Sequence, residues 1–170
     1  GGTINAYTSY DQTVYHITLA SRYAETGLDI LSDAIQHSTF DPLEFERERE
    51  VILEEIRRGE DDPSRRLFKQ TMAILYRQHP YRRPVIGYEK TIRSIQRDKM
   101  VSFFKKWYAP NHMVLIAVGD FNTDEMEGKV RSTFKEFKPS PESFPDRIPE
   151  PKQGETQAMT SHGNFKETYL

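Results

Sequence analysis

The stretch from Asp41 to Gly59 leaves a chain like this little choice but a helix. Asp41 is a good N-cap, Pro42 falls at the first helical position, and Glu44 completes a capping box at the third. The helix is predicted to run to about Arg58 and to stop at Gly59. On a helical wheel Glu48, Val51, Ile52 and Glu55 stand at i, i+3, i+4 and i+7 and share one face, flanked by Phe45 and Ile56. Arg47, Arg49, Glu50, Glu54, Arg57 and Arg58 fall outside that arc. Two carboxylates are thus set on the face expected to be buried. A buried carboxylate ion is costly unless a partner, a hydrogen-bond network or a metal compensates it. At a wet edge, pairing with arginines, it costs little. The residue pattern alone leaves both readings open.

The remaining elements follow from local signals. Residues 3 to 9 and 12 to 19 alternate as a β-hairpin turning at Tyr10-Asp11. Leu28, Leu31 and Ile35 give a helical spacing from Ala24 to His37. Asp62-Pro63 opens another helix, and 96 to 108 forms one stopped before Pro110. Asn122 with Glu125 caps a further helix. His79 to Gly87 holds two prolines and a glycine and reads as an irregular loop. Met113 to Val118 is a continuous apolar run of strand length. Thr156 to Thr160 and Phe165 to Leu170 read as a strand pair.

This mixture predicts an α+β fold, with helices packed on one face of a mainly antiparallel sheet. Residues 1-138 are expected to form one domain body, 139-155 a proline-rich connector, and 156-170 the start of a further, truncated strand pair. The opening on Gly1-Gly2, directly into strand-like sequence, reads as a fragment or processed product.

Composition excludes more than it assigns. A formal net charge of -2 gives no footprint for nucleic acid. There are no cysteines, so disulfides, thiolate metal sites and cysteine nucleophiles are absent. That suits a reducing cytoplasm and is compatible with a periplasm. No apolar run approaches the roughly 20 residues of a membrane span.

Four ordered motifs carry a resemblance. The run from Glu46 to Glu55 (EREREVILEE) resembles the downstream metal-ligand helix of the pitrilysin–insulinase family of zinc peptidases, which includes the mitochondrial processing peptidases. So do Gly2-Thr3-Ile4-Asn5-Ala6-Tyr7-Thr8-Ser9 with Gln12-Thr13-Val14-Tyr15. His79-Pro80-Tyr81 with Pro84-Val85-Ile86-Gly87, and Tyr108-Ala109-Pro110-Asn111, match in order and spacing.

The resemblance implies a zinc metallopeptidase with an inverted H-x-x-E-H motif, whose histidines bind zinc and whose glutamate activates water. It implies that residues 1-138 are the downstream part of the catalytic peptidase-like domain. It implies that Glu55 is the third zinc ligand and that Glu48 supports the site from the outer shell by orienting a histidine. With these partners supplied, it favours the buried reading of the two carboxylates. It further implies that Asn5, Ala6 and Tyr7 lie on an edge strand that takes up a peptide substrate by β-augmentation. A second, related peptidase-like domain or subunit is the implied partner, closing a chamber around the peptide.

The departure is equally specific. The five histidines, His16, His37, His79, His112 and His162, are all isolated, and no H-x-x-E-H occurs. One carboxylate cannot hold zinc tightly, because a catalytic site takes three protein ligands and a water. The isolated chain is expected to be inactive. His79 beside Pro80 reads as a structural cap, and His112 likewise as structural. A non-catalytic structural or chaperone-like subunit of the same fold is the alternative. Apolar surface left open where a strand is missing predicts association, including homo-oligomers.

Overall fold

The computed structural model describes residues 1–163. Strands β1 (Gly2–Thr8) and β2 (Thr13–Leu19) pair antiparallel from Gly2↔Leu19 to Thr8↔Thr13. Six helices follow: α1 (Ala24–Gln36), α2 (Pro42–Asp61), α3 (Pro63–Leu75), α4 (Glu89–Ser94), α5 (Arg97–Trp107) and α6 (Thr123–Thr133). The fold is α+β, as the alternation of patterns predicts. The expected segment Phe165 to Leu170 lies outside the described residues.

The chain divides into two compact units. The first joins Gly1–Asp41 to Gln96–Ser143. In it α1 packs on β2 and on α6. Gly27 of α1 is buried against β2, where an added Cβ would meet Leu19 Cδ2 at 2.7 Å. A larger residue here would require the Leu19 side chain to shift. Phe40 sits in the left-handed region at φ 49, a conformation that costs a non-glycine residue about 1–3 kcal/mol. Arg97 holds it by donating to the carbonyls of Phe40 and Thr39, and the Phe40 ring meets Phe104 edge-on at 5.1 Å. Asn111 exchanges hydrogen bonds with the backbone of Ser140.

The second unit joins Pro42–Ile95 to the chain from Phe144 onward. Here α2 packs on α3 and α4, around Leu53 at 1% exposure. Asp62 caps α3 by accepting from Arg65 N, with Pro63 at its start. The proline-rich segment carries no regular structure but is tethered along α3 rather than loose. Glu150 accepts from the backbone N–H groups of Arg77, Gln78 and His79. Gln153 donates to the Leu75 carbonyl, and Arg66 to the Ser161 hydroxyl and the His162 carbonyl.

Three local expectations are corrected. Helix α2 passes through Gly59 to Asp61. A mid-helix glycine costs only about 1 kcal/mol, and what stops the helix is Pro63, which forces Asp62 into extended backbone. Met113 to Val118 is no strand in a ladder; no backbone hydrogen bond joins 114–118 to any described residue. Thr156 to Thr160 carries no strand either. High β propensity makes a segment extended, but a strand exists only with a neighbour.

Candidate functional site

Helix α2 carries the candidate ligands, and its buried stripe differs from the expected one. The side chains that face inward are Phe45, Arg49, Ile52, Leu53 and Ile56. At roughly 100° per residue this stripe is centred about a quarter-turn from the Glu48–Val51–Glu55 arc. The buried charge on α2 is therefore Arg49, whose side chain is 12% exposed. It donates to the carbonyls of Ile92 and Ile95 and forms a two-pronged pair with Glu46. That side-chain hydrogen bonding from Arg49 holds the exposed Glu46 carboxyl below its usual range.

Glu48 and Glu55 are both exposed, with Val51 half-exposed between them. The burial expected of them is not present in this chain. Seven residues of helix separate them, roughly 10 Å along the axis. Other acids of α2 are neutralised locally: Glu44 by Arg47, Glu54 by Arg57 and Arg58, and Glu60 by Lys69. Among the described residues neither the Glu48 nor the Glu55 side chain has an ion pair or hydrogen bond, and those of Glu50 and Asp61, the other acids of α2 without a partner, share that condition. Exposure of these carboxylates is chemically cheap. It leaves their oxygens available to an incoming cation.

Zinc does not fit the described residues by themselves, which contain no group of three or more His, Cys, Asp or Glu able to hold a metal. His79 and His112 are engaged elsewhere. His79 accepts from Tyr81 N through Nδ1, capping the short turn at Pro80–Arg82, and stacks edge-on with Tyr81 at 4.5 Å. His112 places its ring nitrogens against the carbonyls of Trp107 and Glu142. Both act as structural residues here, as their isolation in sequence suggests.

Strand β1 is exposed along its whole length. Ser9 N donates to the Gln12 carbonyl at 2.8 Å, which marks that pair as hydrogen-bonded. Because hydrogen-bonded and non-bonded pairs alternate in an antiparallel ladder, the N–H and C=O of Gly2, Ile4, Ala6 and Thr8 point away from β2. Asn5 Oδ1 accepts from the Ala6 N–H at 2.8 Å, so this outward donor is covered by its neighbour's side chain. Opposite Ala6, the Tyr15 hydroxyl lies 3.0 Å from that of Tyr108. Burial, reinforced by that hydrogen bond, pushes the Tyr15 phenol well above its usual range.

These elements match known proteins over nearly their whole extent. The sequence profile described as Insulinase (Peptidase family M16) matches residues 1–89, and that of the Peptidase M16 inactive domain matches 94–167. The chain belongs to the M16 peptidase family. An uncharacterized zinc protease of Rickettsia felis is 30% identical over 138 residues, 81% of this chain and 34% of that protein. The probable mitochondrial-processing peptidase subunit beta of Arabidopsis thaliana is 30% identical over 141 residues, covering 83% of this chain and 27% of that one. A protease from Helicobacter pylori superposes with a TM-score of 0.82 at 28% identity, over 90% of this chain and 38% of its own. This M16 chain thus spans about a third of the length of the relatives it matches. No helix among its described residues is long and apolar enough to cross a membrane.

Proposed function

We propose that this chain supplies the downstream part of a zinc-dependent endopeptidase domain, hydrolysing peptides or small unfolded proteins in a chamber closed by a second, related domain. In this reading Glu55 is the carboxylate ligand, Glu48 orients another ligand from outside the coordination sphere, and the edge at Asn5, Ala6 and Tyr7 receives the substrate backbone. The observation that carries it is the pair of exposed carboxylates without partners, at 48 and 55, on a helix inside the segment that matches the insulinase profile. Since the described residues hold no complete metal site, the 170-residue chain alone is inactive. Two histidines and a general base come from outside it.

The test uses a longer protein of the relatives' length, assayed for zinc content and for cleavage of an unstructured peptide. Glu55→Gln abolishes zinc retention and activity. Glu48→Gln lowers zinc affinity by about 10–100-fold, the usual cost of losing an outer-shell partner. Retention of zinc by Glu55→Gln would sink the assignment. A second reading, a non-catalytic subunit, draws on the inactive-domain profile that matches 94–167. A full-length protein that binds no zinc and cleaves no peptide would establish it.

A further inference from the structure

Strand β1 is laddered to β2 alone among the described residues, and every one of its residues is exposed. Its position is therefore set through β2. Side chains of paired residues in an antiparallel ladder project to the same face, and alternate residues share it. Ile4 and Ala6 thus lie on one face with Ile17 and Tyr15, the residues opposite them. That face has two supports. At Ile17 and Leu19 it is α1, which approaches through Gly27. At Tyr15 it is Tyr108, just after α5, with the two rings edge-on at 6.3 Å and their hydroxyls 3.0 Å apart.

Tyr108 is in turn held firmly. Its ring lies 4.6 Å from that of Phe104, which meets Phe40, and its backbone N–H donates to the Phe104 carbonyl. Ala109 beside it is buried. Arg97 fixes the far end of this aromatic row through the Phe40 carbonyl. A continuous line of contacts so runs from Arg97 to the residue opposite Ala6. The hydroxyl pair is its directional link. Ring packing by itself tolerates sliding, whereas a hydrogen bond holds to a narrow range of length and angle. Phenylalanine at either position would fill nearly the same space and lose that constraint.

Backbone addition to a strand edge needs several donors and acceptors in register at once. Binding groups have to be held to within about 0.5 Å of the productive geometry. We propose that Tyr15 and Tyr108 are positioning residues for the substrate: their hydroxyl contact holds the β1 edge around Ala6 where a peptide backbone can pair with it. Neither tyrosine touches the peptide. This rests on the reading of Asn5, Ala6 and Tyr7 as the substrate edge, and it gives a role to two tyrosines that reading leaves unused.

The experiment uses the longer protein of the relatives' length, with Tyr15→Phe, Tyr108→Phe and the double variant. An unstructured peptide is followed in two ways: its Kd by fluorescence anisotropy on zinc-free protein, and KM and kcat for its cleavage. Each single variant should raise Kd and KM about three- to tenfold, the span of one neutral hydrogen bond, and leave kcat unchanged. Loss of either partner breaks the same bond, so the double variant should be no worse than the singles. Ala6→Pro, measured alongside, tests the edge by itself. If it leaves Kd and KM at parental values, the substrate-edge reading falls and the positioning role with it. If it raises them while the phenylalanine variants bind normally, only the role of the tyrosines is overturned. A lowered urea midpoint with parental Kd and KM would show that the pair serves stability alone. Additive effects in the double variant would equally overturn the shared role.

Discussion

Arg49 Nη2 donates to the carbonyl of Ile95 at 2.8 Å, and the same guanidinium reaches the carbonyl of Ile92. Both acceptors lie at the end of α4, where the last carbonyls of a helix have no partner inside it. A cation there also meets the negative end of the helix dipole. Arg49 thus ties α4 to α2, and Glu46 keeps its charge compensated from the solvent side.

The first prediction concerns this clasp. Hydrogen bonds to charged groups contribute about 1.5–3 kcal/mol each when lost with a partner left behind. Arg49→Met keeps the aliphatic bulk and removes the donors, so urea unfolding should show a loss of about 2 kcal/mol. The Glu46 carboxyl, freed of Arg49, should titrate nearer the ordinary carboxylate value, read by NMR. An unchanged midpoint would show that the clasp contributes nothing.

The second prediction follows from Glu150. Burial works to raise its pKa, yet the N–H donors of Arg77, His79 and Gln78, with His79 close by, hold it below its usual 4.5. A depressed carboxyl contributes stability that is fully present above the unfolded value and disappears as pH falls through the folded one. The tether should therefore hold at neutral pH and loosen below about pH 4.5, over the range set by that direction of shift. Glu150→Gln should expose the segment after Phe144 to limited proteolysis at pH 7, whereas the parent chain becomes sensitive only in acid. Equal cleavage of both at pH 7 would refute the tether.

What could be read from sequence was local. Asp62 and Asn122 each accept from the N–H three residues on, at 3.1 Å, so both caps are contained within four letters. The hairpin, α1, α3, α5 and α6 likewise rest on spacing that a short window holds. Arg49 could not be found this way, because its acceptors are 43 and 46 residues distant and nothing in α2 marks it as inward. Glu150 and its donors are separated by more than seventy residues. The run at 113–118 has the right residues for a strand, but a ladder requires a partner that propensity does not report. For the site, the wheel placed Glu48 and Glu55 together correctly and mistook the edge of the core stripe for its centre, because Ile52 belongs to both arcs.

Exposure of those carboxylates gives a third prediction. Substitutions at exposed positions away from special features usually stay within about 0.5 kcal/mol. Glu48→Gln and Glu55→Gln should leave the unfolding midpoint of the 170-residue chain within that margin. Any effect on metal retention in the longer protein would then report a functional role rather than lost folding. A large destabilisation of the isolated chain by either change would show that these residues hold the fold.

The fourth prediction tests the outer edge of β1. The Ala6 N–H points away from β2 and is covered by Asn5 Oδ1 at 2.8 Å. A peptide adding to this edge has to displace the Asn5 side chain before it can accept from Ala6, while the outward groups of Ile4 and Thr8 are open to it. Asn5→Ala removes the cover, and the Ala6 amide should exchange faster in the free chain. If this edge receives the substrate, the substitution in the longer protein should alter KM, with peptide addition slowing Ala6 exchange. Replacing Ala6 by Pro removes the donor outright while sparing the β1–β2 ladder, whose bonds come from the alternate residues. It should raise KM with circular dichroism unchanged. A folded Ala6→Pro protein with unaltered KM would exclude this edge as the substrate strand.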